Sequence, residues 1–168
     1  MPLTDEALAE AGTQLADVLM QRELTIATAE SCTGGWVAKV LTDRAGSSSY
    51  VLAGLVTYSN DAKRGLLGVT EPSLGEHGAV SEPVVREMVA GALAATGADV
   101  AVAISGVAGP GGGSDDKPVG TVWFAWGRSP ADTEAVVEQF QGDRDQVRRQ
   151  AVLYVLQGVR GFLDVCSH

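Results

Sequence analysis

A chain of 168 residues, 45% hydrophobic and 20% charged, has the size and make-up of one globular domain and excludes disordered, collagenous and coiled-coil classes. Its 21 acidic and 12 basic side chains give a formal charge of −9, which excludes a general nucleic-acid face, because phosphate neutralisation needs basic surface. A small anionic ligand stays compatible with that charge, since a few local donors override the net field.

Cys32 and Cys166, with His77 and His168, are too few for a disulfide framework or a zinc cluster. No apolar run reaches the roughly 18 residues of a membrane span. The opening segment, MPLTDEALAEAG, lacks the basic and apolar regions of a signal peptide. The expectation is a soluble cytoplasmic protein, without nucleic-acid or membrane partners, folding as a single domain over residues 1–168.

Residues 4–22 predict a helix: Leu8, Ala11, Leu15, Val18 and Leu19 share one face, with Thr4 as cap. Residues 24–29 predict a short strand that runs into Glu30-Ser31-Cys32-Thr33-Gly34-Gly35, with a helix from about 34 to 43. A strand over 50–58 follows the loop at 46–49. Short helices are expected at 61–67, capped by Asn60, and at 71–76. The next, at 81–96, has Ser81 as cap, Pro83 in its first turn and Gly97 at its end. Residues 99–104 form a continuous apolar run suited to a buried central strand. Strands at 119–126 and 134–140 are close enough for a hairpin, and a last amphipathic helix spans 145–163. About five strands with helices before, between and after them predict an α/β chain, a three-layer α/β/α sandwich around a mixed sheet.

In such a sheet, ligands bind beyond the carboxyl ends of the strands. Three polar segments follow strands here. In the first, Ser31 stands between a strand end and a helix start, and the N–H groups of Cys32, Thr33 and Gly34 are open to an oxyanion or a phosphate. The same pattern serves as a plain helix cap, with Gly34-Gly35 as a packing device. Cys32 is a rival nucleophile or simply a small buried side chain. In the second, Lys63 sits in the first turn of a helix beside Arg64. The helix dipole, that neighbour and burial all favour a neutral amine, the form a general base requires. Tyr58 ends the preceding strand. The third, 105–113, lacks the spacing of a Walker or dinucleotide fingerprint, but its N–H groups suit an anion nest. Arg144 offers a bidentate phosphate contact. Asp115-Asp116 reads as solvated acids and His77 as structural. Serine, lysine, tyrosine, glycine loops and arginine together make the inventory of serine–lysine acyl transfer.

The string Ala29-Glu30-Ser31-Cys32-Thr33-Gly34-Gly35 closely resembles the opening motif of the CinA C-terminal domain family, the nicotinamide-nucleotide amidases. The resemblance continues in order through Thr57-Tyr58-Ser59-Asn60, Lys63, residues 77–81, residues 105–110, residues 117–122 and Gly142-Asp143-Arg144. It implies a stand-alone form of a fold of anticodon-binding-domain type. It implies hydrolysis of nicotinamide mononucleotide to nicotinate mononucleotide and ammonia, without metal or other cofactor, in pyridine-nucleotide recycling. Ser31 would be the nucleophile, Lys63 its base and Tyr58 a relay or positioning partner. Cys32, Thr33, Gly34, Gly35, Ser105, Gly106, Ala108, Gly109, Gly112 and Arg144 would bind the phosphorylated nucleotide. A homodimer is also implied. The same glycine nests would serve a nucleotide-binding or regulatory module without turnover, or an amidase for another small amide. Activity is expected to survive exhaustive EDTA treatment; loss that zinc or magnesium restores would point instead to a carboxylate-based hydrolase using Asp115 and Asp116.

Overall fold

The computed structural model describes residues 2–165, so Cys166 and His168 lie outside the described residues. Five strands, β1 (Ile26–Glu30), β2 (Val51–Val56), β3 (Val100–Gly106), β4 (Thr121–Gly127) and β5 (Thr133–Gln139), pair in the order β2-β1-β3-β4-β5. β1 lies parallel to both β2 and β3, whereas β4 and β5 run antiparallel as a hairpin. Six α-helices flank the sheet: α1 (Asp5–Gln21), α2 (Trp36–Thr42), α3 (Asn60–Leu67), α4 (Glu71–His77), α5 (Glu82–Thr96) and α6 (Arg144–Val165). The mixed sheet between helical layers is the architecture the sequence implies.

The fully buried sheet positions are larger on one face than on the other. Val100, Val102 and Ile104 of β3, with Val122, Phe124 and Trp126 of β4, pack into the core under α1, α2 and α6. Ala101, Ala103 and Ala125 face the other way, against α5. Small residues on that face let α5 sit close, where Val85, Met88, Val89 and Ala92 cover them. Among the described residues, no helix is long and apolar enough to cross a membrane.

Several boundaries differ from the sequence reading, each for a local reason. α2 starts at Trp36 rather than 34, because Gly34 and Gly35 take φ of +61° and +99°, outside any right-handed helix. Ser59, not Asn60, caps α3: its hydroxyl accepts from the Ala62 N–H. Ser81 stands at the start of α5, but its hydroxyl donates back to the Gly78 carbonyl and gives no side-chain cap. β2 ends at Val56, leaving Tyr58 beyond the strand, and residues 119–120 belong to the turn before β4. A single 3-10 turn, Ser47–Ser49, occupies the expected loop.

The parallel pairing decides where the site is. Glu30 stands in register with Val56 on one side and Ile104 on the other. The carboxyl ends of all three strands therefore lie at one end of the sheet, β3 running two residues further to Gly106. The opposite layer depends on a close helix contact: a Cβ on Gly91 would lie 1.9 Å from the Leu67 carbonyl oxygen. Because backbone cannot swing aside, Gly91→Ala is expected to destabilise by about 3 kcal/mol, the upper end for overpacking. In a chain of this length that lowers the melting temperature by roughly 6–12 °C, measurable by circular dichroism.

Candidate active site

The turn after β1 is built on a buried carboxylate. Glu30 is 0% exposed, and its side chain accepts from the Thr33 hydroxyl at 2.7 Å and from the N–H groups of Val37 and Ala38 at 2.9 and 3.0 Å. The N-terminal donors of α2 are thus satisfied from within the chain. This corrects one expectation: Thr33 and the helix start serve Glu30, and Thr33, Gly34 and Gly35 do not line the cleft. Gly34 also turns its N–H onto the Ser31 carbonyl at 3.0 Å, so it is no free donor. The N–H groups of Cys32 and Thr33 meet no acceptor among the described residues. Ser31 is held against β3 by its own N–H, which donates to the Ile104 carbonyl at 3.0 Å.

Lys63, the fourth residue of α3, reaches back over this turn. It is 1% exposed. Its Nζ lies 3.1 Å from Ser31 Oγ, 3.0 Å from the Thr57 carbonyl and 3.5 Å from the Tyr58 carbonyl. A neutral amine has two N–H donors and one lone pair. As an ammonium Lys63 donates to all three oxygens; in the neutral form it would donate to the carbonyls and accept from the Ser31 O–H. Burial lowers the Lys63 pKa, opposed only by a charge on Cys32. Cys32 carries no such charge near neutral pH, because its own burial pushes the thiol up to about 11. A thiol held protonated is a poor nucleophile. Arg64 does not contribute as the sequence suggested. Its guanidinium is paired with Asp61 and Glu71, which offset its charge.

Ser31, Cys32, Lys63 and Ser105 line a cleft of about 310 Å³, closed on one side by residues 106–112 and on another by Tyr58 and Arg144. Ser105 is the penultimate residue of the buried strand β3, and its hydroxyl has no partner among the described residues. Ala108, Gly109, Gly111 and Gly112 likewise present N–H groups without acceptors there. Arg144 opens α6, donates to the Gly109 carbonyl at 2.9 Å and reaches the Tyr58 hydroxyl at 3.1 Å. Tyr58 is 61% exposed and its hydroxyl is bound to Arg144, not to Ser31 or Lys63. It stands as a wall that offers its carbonyl to Lys63 at 3.5 Å, with its hydroxyl turned away from the Ser31–Lys63 pair.

Asp115 and Asp116 are exposed and lie outside this cleft. His77 gives its backbone carbonyl to Lys117, and its Nε2 lies 3.8 Å from the Glu76 carboxylate, away from this cleft. No three His, Cys, Asp or Glu side chains cluster as around a metal ion among the described residues. Two groups at the site escaped the sequence reading. Glu30 lay inside the motif, three residues before Thr33, a spacing that suits a side-chain bond. Arg148 donates from Nε to the Cys32 carbonyl at 3.0 Å, and its spacing of four from Arg144 puts both on one helix face.

Comparison with known proteins shows the family to which the chain belongs. The CinA C-terminal domain family matches residues 8–163. The nicotinamide-nucleotide amidohydrolase PncC of Escherichia coli K12 is 57% identical over 155 residues, 92% of this chain and 94% of that protein. The Pseudomonas putida protein of the same name is 52% identical over 147 residues, 88% and 91% of the two chains. The crystal structure of the competence damage-inducible protein A of Klebsiella pneumoniae superposes with a TM-score of 0.91 at 42% identity, covering 95% and 99% of the two chains.

The buried amine has a measurable signature in stability. Unfolded, Lys63 titrates near the ordinary 10.5; folded, its value is lower. Between the two, the unfolded chain holds a proton the folded chain has lost, so stability rises with pH. Below the folded value both states are protonated and burial of the ammonium opposes folding. Urea midpoints of the wild type and Lys63→Met at pH 7 and pH 10 are expected to shift in favour of the wild type at the higher pH.

Proposed function

We propose, for a chain that belongs to the CinA C-terminal domain family, the hydrolysis of nicotinamide mononucleotide to nicotinate mononucleotide and ammonia. The names of the Escherichia coli and Pseudomonas putida relatives support the substrate class. The observation that carries the chemistry is the buried Lys63 Nζ, 3.1 Å from Ser31 Oγ at the floor of an open cleft.

In this reading Lys63 takes the Ser31 proton as Oγ attacks the carboxamide carbon. The N–H of Cys32, at the cleft wall, stabilises the tetrahedral oxyanion; a well-placed donor of this kind is worth roughly 3–4 kcal/mol. Lys63 then passes its proton to the departing nitrogen, and ammonia leaves a Ser31 ester. Water adds to that ester by the reverse transfer and frees the carboxylate and Ser31. Tyr58 positions Lys63 through its carbonyl and Arg144 through its hydroxyl. Ser105, Gly106, Ala108, Gly109 and Gly112 receive the nucleotide, with the open N–H groups of the loop and the uncommitted donors of Arg144 directed to its phosphate. Cys32 lines the site without reacting. One domain and a cytoplasmic location, expected from length, composition and the opening segment, and a homodimer, implied by the family resemblance, accompany this reading.

Ammonia release from nicotinamide mononucleotide tests it. Ser31→Ala and Lys63→Ala are each expected to cut turnover by roughly 10⁴-fold or more, with the double variant hardly worse, because the pair acts as a unit. Cys32→Ser stays active. Wild-type activity rises with pH through the lowered Lys63 value, and free nicotinamide is a far poorer substrate. Substantial turnover by Ser31→Ala, or equal efficiency on both compounds, would sink the assignment.

A further inference from the structure

The turn from Ser31 to Gly35 is held by charges of opposite sign on its two kinds of backbone group. Glu30 takes the donors at the start of α2. Arg148 takes carbonyls: Nε lies 3.0 Å from the Cys32 oxygen and Nη2 lies 3.4 Å from the Thr33 oxygen. The guanidinium stacks over the Trp36 ring at 5.6 Å. A Cβ on Gly34 would approach Nη2 to 3.2 Å, so the glycine leaves room for the cation. Caps for α2 are already supplied by Glu30. Arg148 binds carbonyls of the turn and not the N–H groups at the start of α2, so capping of that helix does not account for it.

We propose that Arg148 is a positioning residue for acyl transfer, holding the Cys32 carbonyl and so the turn that presents the Cys32 N–H to the oxyanion formed at Ser31. In a trans peptide the C=O and N–H point in opposite directions. The Ser31 carbonyl is pinned by the Gly34 N–H, and the Cys32 carbonyl is pinned by Arg148. The N–H groups on the far side of those same two peptides, Cys32 and Thr33, are the ones left without acceptors. A cation fixed beside the turn also favours negative charge developing at Ser31, and preorganised groups act most where charge develops. The inference rests on the serine–lysine reading above. Arg148 acts on the transition state, so its loss appears in kcat. It is not among the groups that shift Lys63, so the pH midpoint should not move.

Two measurements test this on the full chain. In the first, Arg148→Met is expected to lower kcat for nicotinamide mononucleotide about 10–100-fold, with KM within about twofold and the pH midpoint unchanged. Arg148→Lys keeps the cation and the stem over Trp36 but cannot span both carbonyls, and it recovers part of the loss. In the second, an alkyl fluorophosphonate labels Ser31. Oγ bonds to phosphorus, fluoride leaves, and Lys63 takes the proton. Labelling of Arg148→Met is expected to slow in parallel with kcat. A wild type silent towards the nucleotide but labelled at Ser31 in an Arg148-dependent way would defeat the substrate assignment and keep this inference. Labelling or kcat within twofold of wild type in folded Arg148→Met would overturn it. So would a loss confined to KM, an unlabelled wild type, or loss of the native melt in both variants.

Discussion

A lysine amine with almost no contact with water, set between two backbone carbonyls and a serine hydroxyl, is the constraint around which the site is organised. An ammonium in that place would lose hydration without gaining an anionic partner, because Lys63 pairs with no carboxylate among the described residues. The amine is therefore pushed towards its neutral form, and its lone pair has one hydroxyl to meet. The cost of keeping it there falls on the core beneath. α3 is anchored by Leu67, which packs against α5 at a point where only a glycine fits.

The opposite element does a complementary task. α6 enters with Arg144 and Arg148 one turn apart, and each grips backbone rather than carboxylate. Arg144 ties the glycine-rich loop to Tyr58, and Arg148 ties down the turn that carries Ser31. Together with Glu30, which fixes the same turn from β1, they hold three segments that have few internal hydrogen bonds of their own. Rigid positioning of this kind is what a site needs when its reacting groups stand on loops.

The −9 charge and an anionic substrate are reconciled by where donors are left over. Loop N–H groups at 108–112 are open, Arg144 retains donors beyond the two it commits, and the exposed acids Asp115 and Asp116 stay out of the cleft. By contrast, the start of α2, the most obvious anion site in the sequence, is already filled by Glu30. In the proposed reaction the phosphate is therefore drawn to the far side of the cleft from that helix.

The sequence by itself determined the order of elements, the mixed sheet, the three polar segments after strands and the pairing of Ser31 with Lys63. Those features rest on local periodicity, on turn residues such as Gly34-Gly35, and on a motif read in order along the chain. Tertiary structure alone decided how each group behaves. Lys63 is shifted by burial rather than by Arg64, whose charge Asp61 and Glu71 offset. Thr33 faces a buried carboxylate instead of a ligand. Tyr58 turns its hydroxyl to an arginine 86 positions away, and the Cys32 carbonyl meets one 116 positions away. Burial and pairing arise from contacts between distant parts of the chain, and no local pattern in the sequence carries them.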